Sequence, residues 1–173
     1  FFSEIWSREA MSSAGLEIDW VQDNHSYSAA KGVLRGLHFQ ETPAEQDKLV
    51  RVSRGAIFDV AVDIRRNSPT FGQWDGAILS ADEWNQMLVP KGFAHGFVTL
   101  EENTEVQYKV SAPYRADLDI LVAGCGTWQA AKYAVTHPDA RVTGIDISAT
   151  SIEHTRQLKQ KYDLTNLELR QLP

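Results

Sequence analysis

Two glycine-punctuated segments of the chain each set a histidine among groups able to handle a proton. In Val33-Leu34-Arg35-Gly36-Leu37-His38-Phe39-Gln40, an arginine, a histidine and a glutamine share a strongly apolar strand. In Pro90-Lys91-Gly92-Phe93-Ala94-His95-Gly96-Phe97, a tight Pro-x-Gly turn delivers His95 onto the next strand. Lys48 lies between them and Tyr108 after them, both on strands with apolar faces. An unperturbed imidazole titrates at about 6.5, so His38 is a natural general base at neutral pH. A buried ammonium is costly unless it meets an anion, which makes Lys48 a counter-ion for developing negative charge. Tyr108 would serve as proton donor. A base, cations and a phenol converging inside a β-barrel describe a site for removing and returning a proton beside a carbonyl. The competing structural readings are a core histidine bonded to backbone and a packed core tyrosine.

The elements that must position these groups read as β up to about Arg115. Phe58 to Ile64 alternates Phe58, Val60, Val62 and Ile64 against Asp59, Ala61 and Asp63. Lys48 shares a strand face with Val50 and Val52, and Tyr108 shares one with Val106 and Val110. Short strands at Trp74–Leu79 and Gln86–Val89, separated by turn clusters, favour a sandwich, jelly roll or barrel. Arg35 and His38 differ by an odd number, so a regular strand would point them apart. Gly36 between them is placed to host a bulge that re-aims one of the two.

After Arg115 the pattern changes. Leu118 to Ala123 is a continuous apolar strand of the buried, parallel kind. Gly124-Cys125-Gly126-Thr127 follows, then a helical stretch to about Thr136 and a second strand, Arg141 to Ile147. Thr150-x-x-Glu153 resembles a capping box opening a helix to about Tyr162, and Leu167 to Leu169 starts a third strand. The expectation is a mainly β chain, with a jelly-roll domain over residues 1–115 and a partial Rossmann-like α/β unit over 116–173.

Composition sets the outer limits. Of 173 residues, 43% are hydrophobic and 23% charged, ordinary for a folded domain. No signal peptide or membrane-spanning run is visible, although the chain opens on Phe1 rather than methionine. The single cysteine, Cys125, excludes an internal disulfide and fits the cytoplasm. A net charge of −6 argues against nucleic acid as a partner. Against it, Arg35, Lys48, Arg51 and Arg54 crowd one stretch, as a solvated basic edge or as a patch for a small anion such as a phosphate ester.

Pro90-x-Gly92-x-x-His95 is similar to a cupin signature, but two isolated histidines make a poor metal shell, and a metal-free site is expected. Residues 1 to about 115 resemble the dTDP-4-dehydrorhamnose 3,5-epimerases. The matching stretches include Phe1-Phe2-Ser3-Glu4, Val21-Gln22-Asp23-Asn24-His25-Ser26, Leu34 to Gln40, Lys48 to Val52, Ser68-Pro69-Thr70-Phe71-Gly72 and Gly92 to Phe97. The resemblance implies a cofactor-free, cupin-like jelly roll, usually a homodimer, acting on a dTDP-linked 4-keto-6-deoxyglucose. His38 would remove the C3 and C5 protons, Lys48 would stabilise the enolate oxygen, and Tyr108 would reprotonate from the opposite face. Glu4, Gln22, Asn24, Arg35 and His95 would grip nucleotide, pyrophosphate and sugar. The alternatives are a non-catalytic nucleotide-sugar binding module or part of a fused S-adenosylmethionine-dependent methyltransferase.

Residues 117–173 resemble the opening of a class I S-adenosylmethionine-dependent methyltransferase. Gly124, Gly126 and Asp146 would be its cofactor contacts, and Trp128 stands where a third glycine is usual. In the epimerases an aspartate from a C-terminal segment holds the catalytic base, and that segment is replaced here. Asp59 or Asp63 is therefore expected to bond His38, or else to line a wet barrel mouth or pair with arginines such as Arg51. Without such a dyad the chain is expected to be inert or nearly so as an epimerase.

Overall fold

The computed structural model describes residues 2–115 and 120–172. A six-residue helix, α1 (Arg8–Ser13), precedes the strands, where the sequence suggested β throughout. Its start is set by Ser7, whose hydroxyl accepts from Ala10 N at 3.2 Å. Eight strands follow: β1 (Gln22–Ser28), β2 (Leu34–His38), β3 (Lys48–Arg54), β4 (Ala56–Asp63), β5 (Trp74–Ser80), β6 (Gln86–Val89), β7 (Phe93–Thr99) and β8 (Thr104–Val110). They form two antiparallel sheets ordered β1-β8-β3-β6 and β2-β7-β4-β5. The two sheets enclose Val50, Val52, Ile57, Leu79, Val89 and Val106, the inward positions of alternating strands. Of the sandwich, jelly roll or barrel that the strand spacing allowed, the jelly roll implied by the resemblance is present.

Strand β4 corrects one expectation. Ile57, Asp59, Ala61 and Asp63 face the interior, while Phe58, Val60 and Val62 lie half-buried on the outer face. Neither acid lines a wet mouth, since Asp59 is 0% and Asp63 1% exposed, but the expected pairing with an arginine does occur at Asp63, with Arg65 rather than Arg51. Buried charges need partners, and Asp63 has several. Arg65 grips both of its oxygens at 2.9 and 2.7 Å, and Ser68 and Thr70 hydroxyls donate at 2.6 and 2.7 Å. The Arg65 guanidinium holds the Asp63 carboxyl well below the usual range, with Ser68 and Thr70 adding to it. This network fixes the β4–β5 turn and leaves Asp63 unavailable to the site.

The tail is a βαβαβ run: β9 (Ile120–Ala123), α2 (Gln129–Thr136), β10 (Val142–Asp146), α3 (Ala149–Lys161) and β11 (Leu167–Gln171). Its strands are parallel in the order β11-β10-β9, and Val122, Ala130, Ala134, Val142, Ile152 and Leu167 form its own core. Leu118 and Asp119, the expected first residues of β9, lie outside the described residues, as do 116 and 117 at the expected domain junction. The cap of α3 is Ser148, accepting from Ser151 N at 3.2 Å, and not Thr150. Thr150 sits inside the helix, and Glu153 pairs with Arg156 instead of closing a capping box. Among the described residues, no helix is long and apolar enough to cross a membrane.

Candidate active site

The geometry starts at Gly36. Arg35 pairs with Phe97, but His38 pairs with His95, so β2 carries one extra residue between them. Gly36 has φ +113, and a Cβ there would lie 2.6 Å from Gly96 Cα. Only glycine fits both the backbone angle and the close approach of β7. The bulge removes the parity conflict, and Arg35 and His38 line the same cavity.

That cavity, about 370 Å³, gathers nearly all the residues singled out for chemistry. Gln22, Asn24, Arg35, His38, Lys48, His95 and Tyr108 all line it. Glu4 does not; it is exposed on the segment before α1. Of the basic cluster, only Arg35 and Lys48 face the cavity. Arg51, of opposite parity to Lys48 on β3, lines a separate concavity beside Ile5 and Trp6, and Arg54 is exposed.

Each group is held by identifiable neighbours. Arg35 donates to Tyr27 O at 3.2 Å and to Ser28 Oγ at 3.3 Å, which ties its guanidinium to the end of β1. Gln22 donates to Asn24 Oδ1 at 2.7 Å and accepts from Tyr114 N at 3.3 Å. Gln40 accepts from Arg115 N at 2.8 Å. These bonds draw the segment after β8 across the cavity rim.

Asp59 does not bond His38. Its Oδ1 meets His95 Nε2 at 2.7 Å, and its Oδ2 is buried with no hydrogen-bond partner among the described residues. The dyad expected at His38 is thus built at His95, directly across the bulge. The cause is register: Asp59 pairs with Phe97 on β7, which puts it near inward-facing His95 rather than near β2. His38 is held instead by Tyr133 of α2, whose hydroxyl lies 2.8 Å from His38 Nε2. Sequence reading did not single out Tyr133, because only the docking of the tail brings it to the cavity.

The electrostatics separate the roles. Burial, with the Lys48, His95 and Arg35 charges adding to it, pushes His38 down to about 4, so its imidazole is neutral at neutral pH. Burial lowers Lys48 to about 8, with the Asp59 carboxylate opposing, so the ammonium remains the main form at neutral pH. Burial raises the Tyr108 phenol, which stays protonated and able to donate, although Arg35 opposes the shift. A neutral base, a nearby cation and a phenolic acid share one cavity. Among the described residues, no group of three or more His, Cys, Asp or Glu side chains could hold a metal ion.

The family model for dTDP-4-dehydrorhamnose 3,5-epimerase matches residues 1–152. The chain belongs to that family. The epimerase of Sinorhizobium fredii is 54% identical over 118 residues, covering 68% of this chain and 58% of the relative. The chain thus spans less than two thirds of that relative's length. A crystal structure of the Bacillus anthracis epimerase with TDP and PPi bound superposes with a TM-score of 0.66 at 55% identity, covering 67% of this chain and 66% of the other. The Legionella pneumophila dTDP-6-deoxy-D-glucose-3,5-epimerase, solved with dTDP-4-keto-L-rhamnose, gives a TM-score of 0.66 at 40% identity, covering 82% and 74%. The match to the epimerase family continues through β9, α2 and β10, the segment expected to open a methyltransferase, and gives that expectation no support. In that segment Gly124 and Gly126 do adopt positive φ, but each Asp146 oxygen already accepts a backbone N–H. Gly126 N donates to one at 3.0 Å and Ser148 N to the other at 2.8 Å.

Proposed function

We propose that this chain epimerises C3 and C5 of a dTDP-linked 4-keto-6-deoxyglucose. The observation that carries the reading is the convergence of His38, Lys48 and Tyr108 with Arg35 on one cavity. A proton beside a ketone becomes acidic only if the enolate oxygen is stabilised as it forms, and Lys48 is the cation available for that. His38 takes the proton, and Tyr108 returns one from the other side of the ring. A diphosphate drawn to Arg35 adds negative charge beside the imidazole, which lifts His38 from about 4 toward its ordinary value and makes it a better base. The test is incorporation of solvent hydrogen at C3 and C5 of the keto-sugar. Binding without incorporation would favour a nucleotide-sugar binding module, the reading suggested by the absence, among the described residues, of a carboxylate on His38. Inertness was the expectation if neither Asp59 nor Asp63 reached His38, and neither does; in our reading, turnover relies instead on the Tyr133 hydroxyl to hold the ring.

For the tail, occupation of Asp146 by Gly126 and Ser148 supports a positional role over S-adenosylmethionine binding. The partner supported by the outer face of the β2-β7-β4-β5 sheet is a second copy of the chain. Phe58 lies opposite Ile78 and Val98, Val62 opposite Trp74, and Leu34 opposite Val98, so these apolar residues share one face. Trp74 is 64% exposed and Ile78 59%, and an apolar face of this extent is typical of an interface. Sedimentation should show a dimer for the native chain and a monomer for Ile78→Asp combined with Trp74→Ser. Unchanged sedimentation of that variant would exclude this face.

A further inference from the structure

Helix α2 has two working faces. Ala130, Ala131 and Ala134 are buried against the tail sheet. Gln129, Tyr133 and His137, spaced by four, run along the side toward the sandwich. Each makes a contact there. Gln129 donates to Leu34 O at 3.2 Å, Tyr133 Oη meets His38 Nε2 at 2.8 Å, and His137 packs edge-on to Tyr114 at 5.7 Å. The His38 and Tyr133 rings also meet edge to face, 5.4 Å apart at 72°. The helix is itself fixed, because Asn166 Nδ2 donates to Ala134 O, His137 O and Ala140 O at 3.0–3.1 Å.

A neutral imidazole carries one donor and one acceptor nitrogen, and the partner of one decides the state of the other. A base needs a bare nitrogen for the incoming proton. Resting on the epimerase reading of the cavity, we propose that Tyr133 is a positioning residue for His38, its phenol oxygen accepting Nε2–H so that Nδ1 is left bare as the basic atom. In the step, the substrate C–H bond breaks, the proton forms a bond to Nδ1, and the electron pair passes into the enolate beside Lys48. The imidazolium keeps its Nε2–H bond to Tyr133 Oη throughout, so the ring does not turn away with the proton. A helix of the tail thereby takes part in the chemistry of the sandwich.

Two-bond 1H–15N spectra of the full chain, without substrate, read which His38 nitrogen carries the proton; His38→Asn assigns the ring. The native chain should show the Nε2–H tautomer. Tyr133→Phe keeps the ring packing and removes only the hydroxyl. It should give a mixture of tautomers and lower kcat roughly 10- to 100-fold with KM unchanged, as loss of an orienting partner does. A native spectrum with Nδ1–H and bare Nε2 would overturn the proposal, since the phenol would then be capping the base. So would an unchanged tautomer or a faster reaction in Tyr133→Phe. A native chain with no turnover at all would sink the epimerase reading alone, because the spectra decide the tautomer without substrate.

Discussion

Replacing His38 by Asn should reduce proton exchange at C3 and C5 by about 10²- to 10⁴-fold, the usual contribution of a positioned general base. Asparagine fills much of the imidazole volume but has no basic nitrogen. Arg35 keeps its anchors on Tyr27 and Ser28, so binding of thymidine diphosphate should persist, read as a ligand-dependent rise in Tm. The variant will also be less stable by about 1–3 kcal/mol where the Tyr133 hydroxyl loses its partner. Retained binding with lost exchange separates the base from the scaffold. Undiminished exchange would place the base elsewhere.

Lys48→Met should cost about 10²- to 10³-fold in kcat, the range for removing a donor from a developing oxyanion. Methionine keeps the aliphatic stem packed beside Val50 and removes only the charge. The pH profile checks the same assignment. In kcat/KM, which reports the free enzyme, His38 must be neutral, so the value falls as pH drops through about 4; Lys48 must be charged, so it falls as pH rises through about 8. Lys48→Arg should be slower at its optimum yet lose the alkaline limb, because a guanidinium stays protonated there. An alkaline limb that persists in Lys48→Arg would assign it to another group.

Much of this site can be read from residue order. Short alternating strands implied a sandwich, jelly roll or barrel, and the odd spacing of Arg35 and His38 around Gly36 implied the bulge that the structure contains. The polarity of β4 misleads because both of its faces are substantially covered, so alternation alone does not say which face points inward. Asp59 lies inside because His95 and the neighbouring Lys48 offset its charge, a compensation set by register rather than by local sequence. Tyr133 was illegible for a related reason. Its partner is 95 residues away, and nothing within α2 indicates that the Gln129, Tyr133 and His137 stripe faces a sandwich. The Ser148 cap shows the smaller limit, where two candidate residues stand two positions apart and only hydrogen bonding chooses between them.

The central claim is that this cavity labilises protons on both sides of a ketone, and exchange in heavy water tests it most directly. The full chain is incubated with dTDP-4-keto-6-deoxyglucose in D₂O, and the recovered sugar is read by NMR and mass. The predicted result is deuterium at both C3 and C5, with inverted configuration, at a rate that collapses in His38→Asn. Sugar recovered with protium at both carbons, from a chain whose Tm rises with thymidine diphosphate, would contradict the account and leave a nucleotide-sugar binding module in its place.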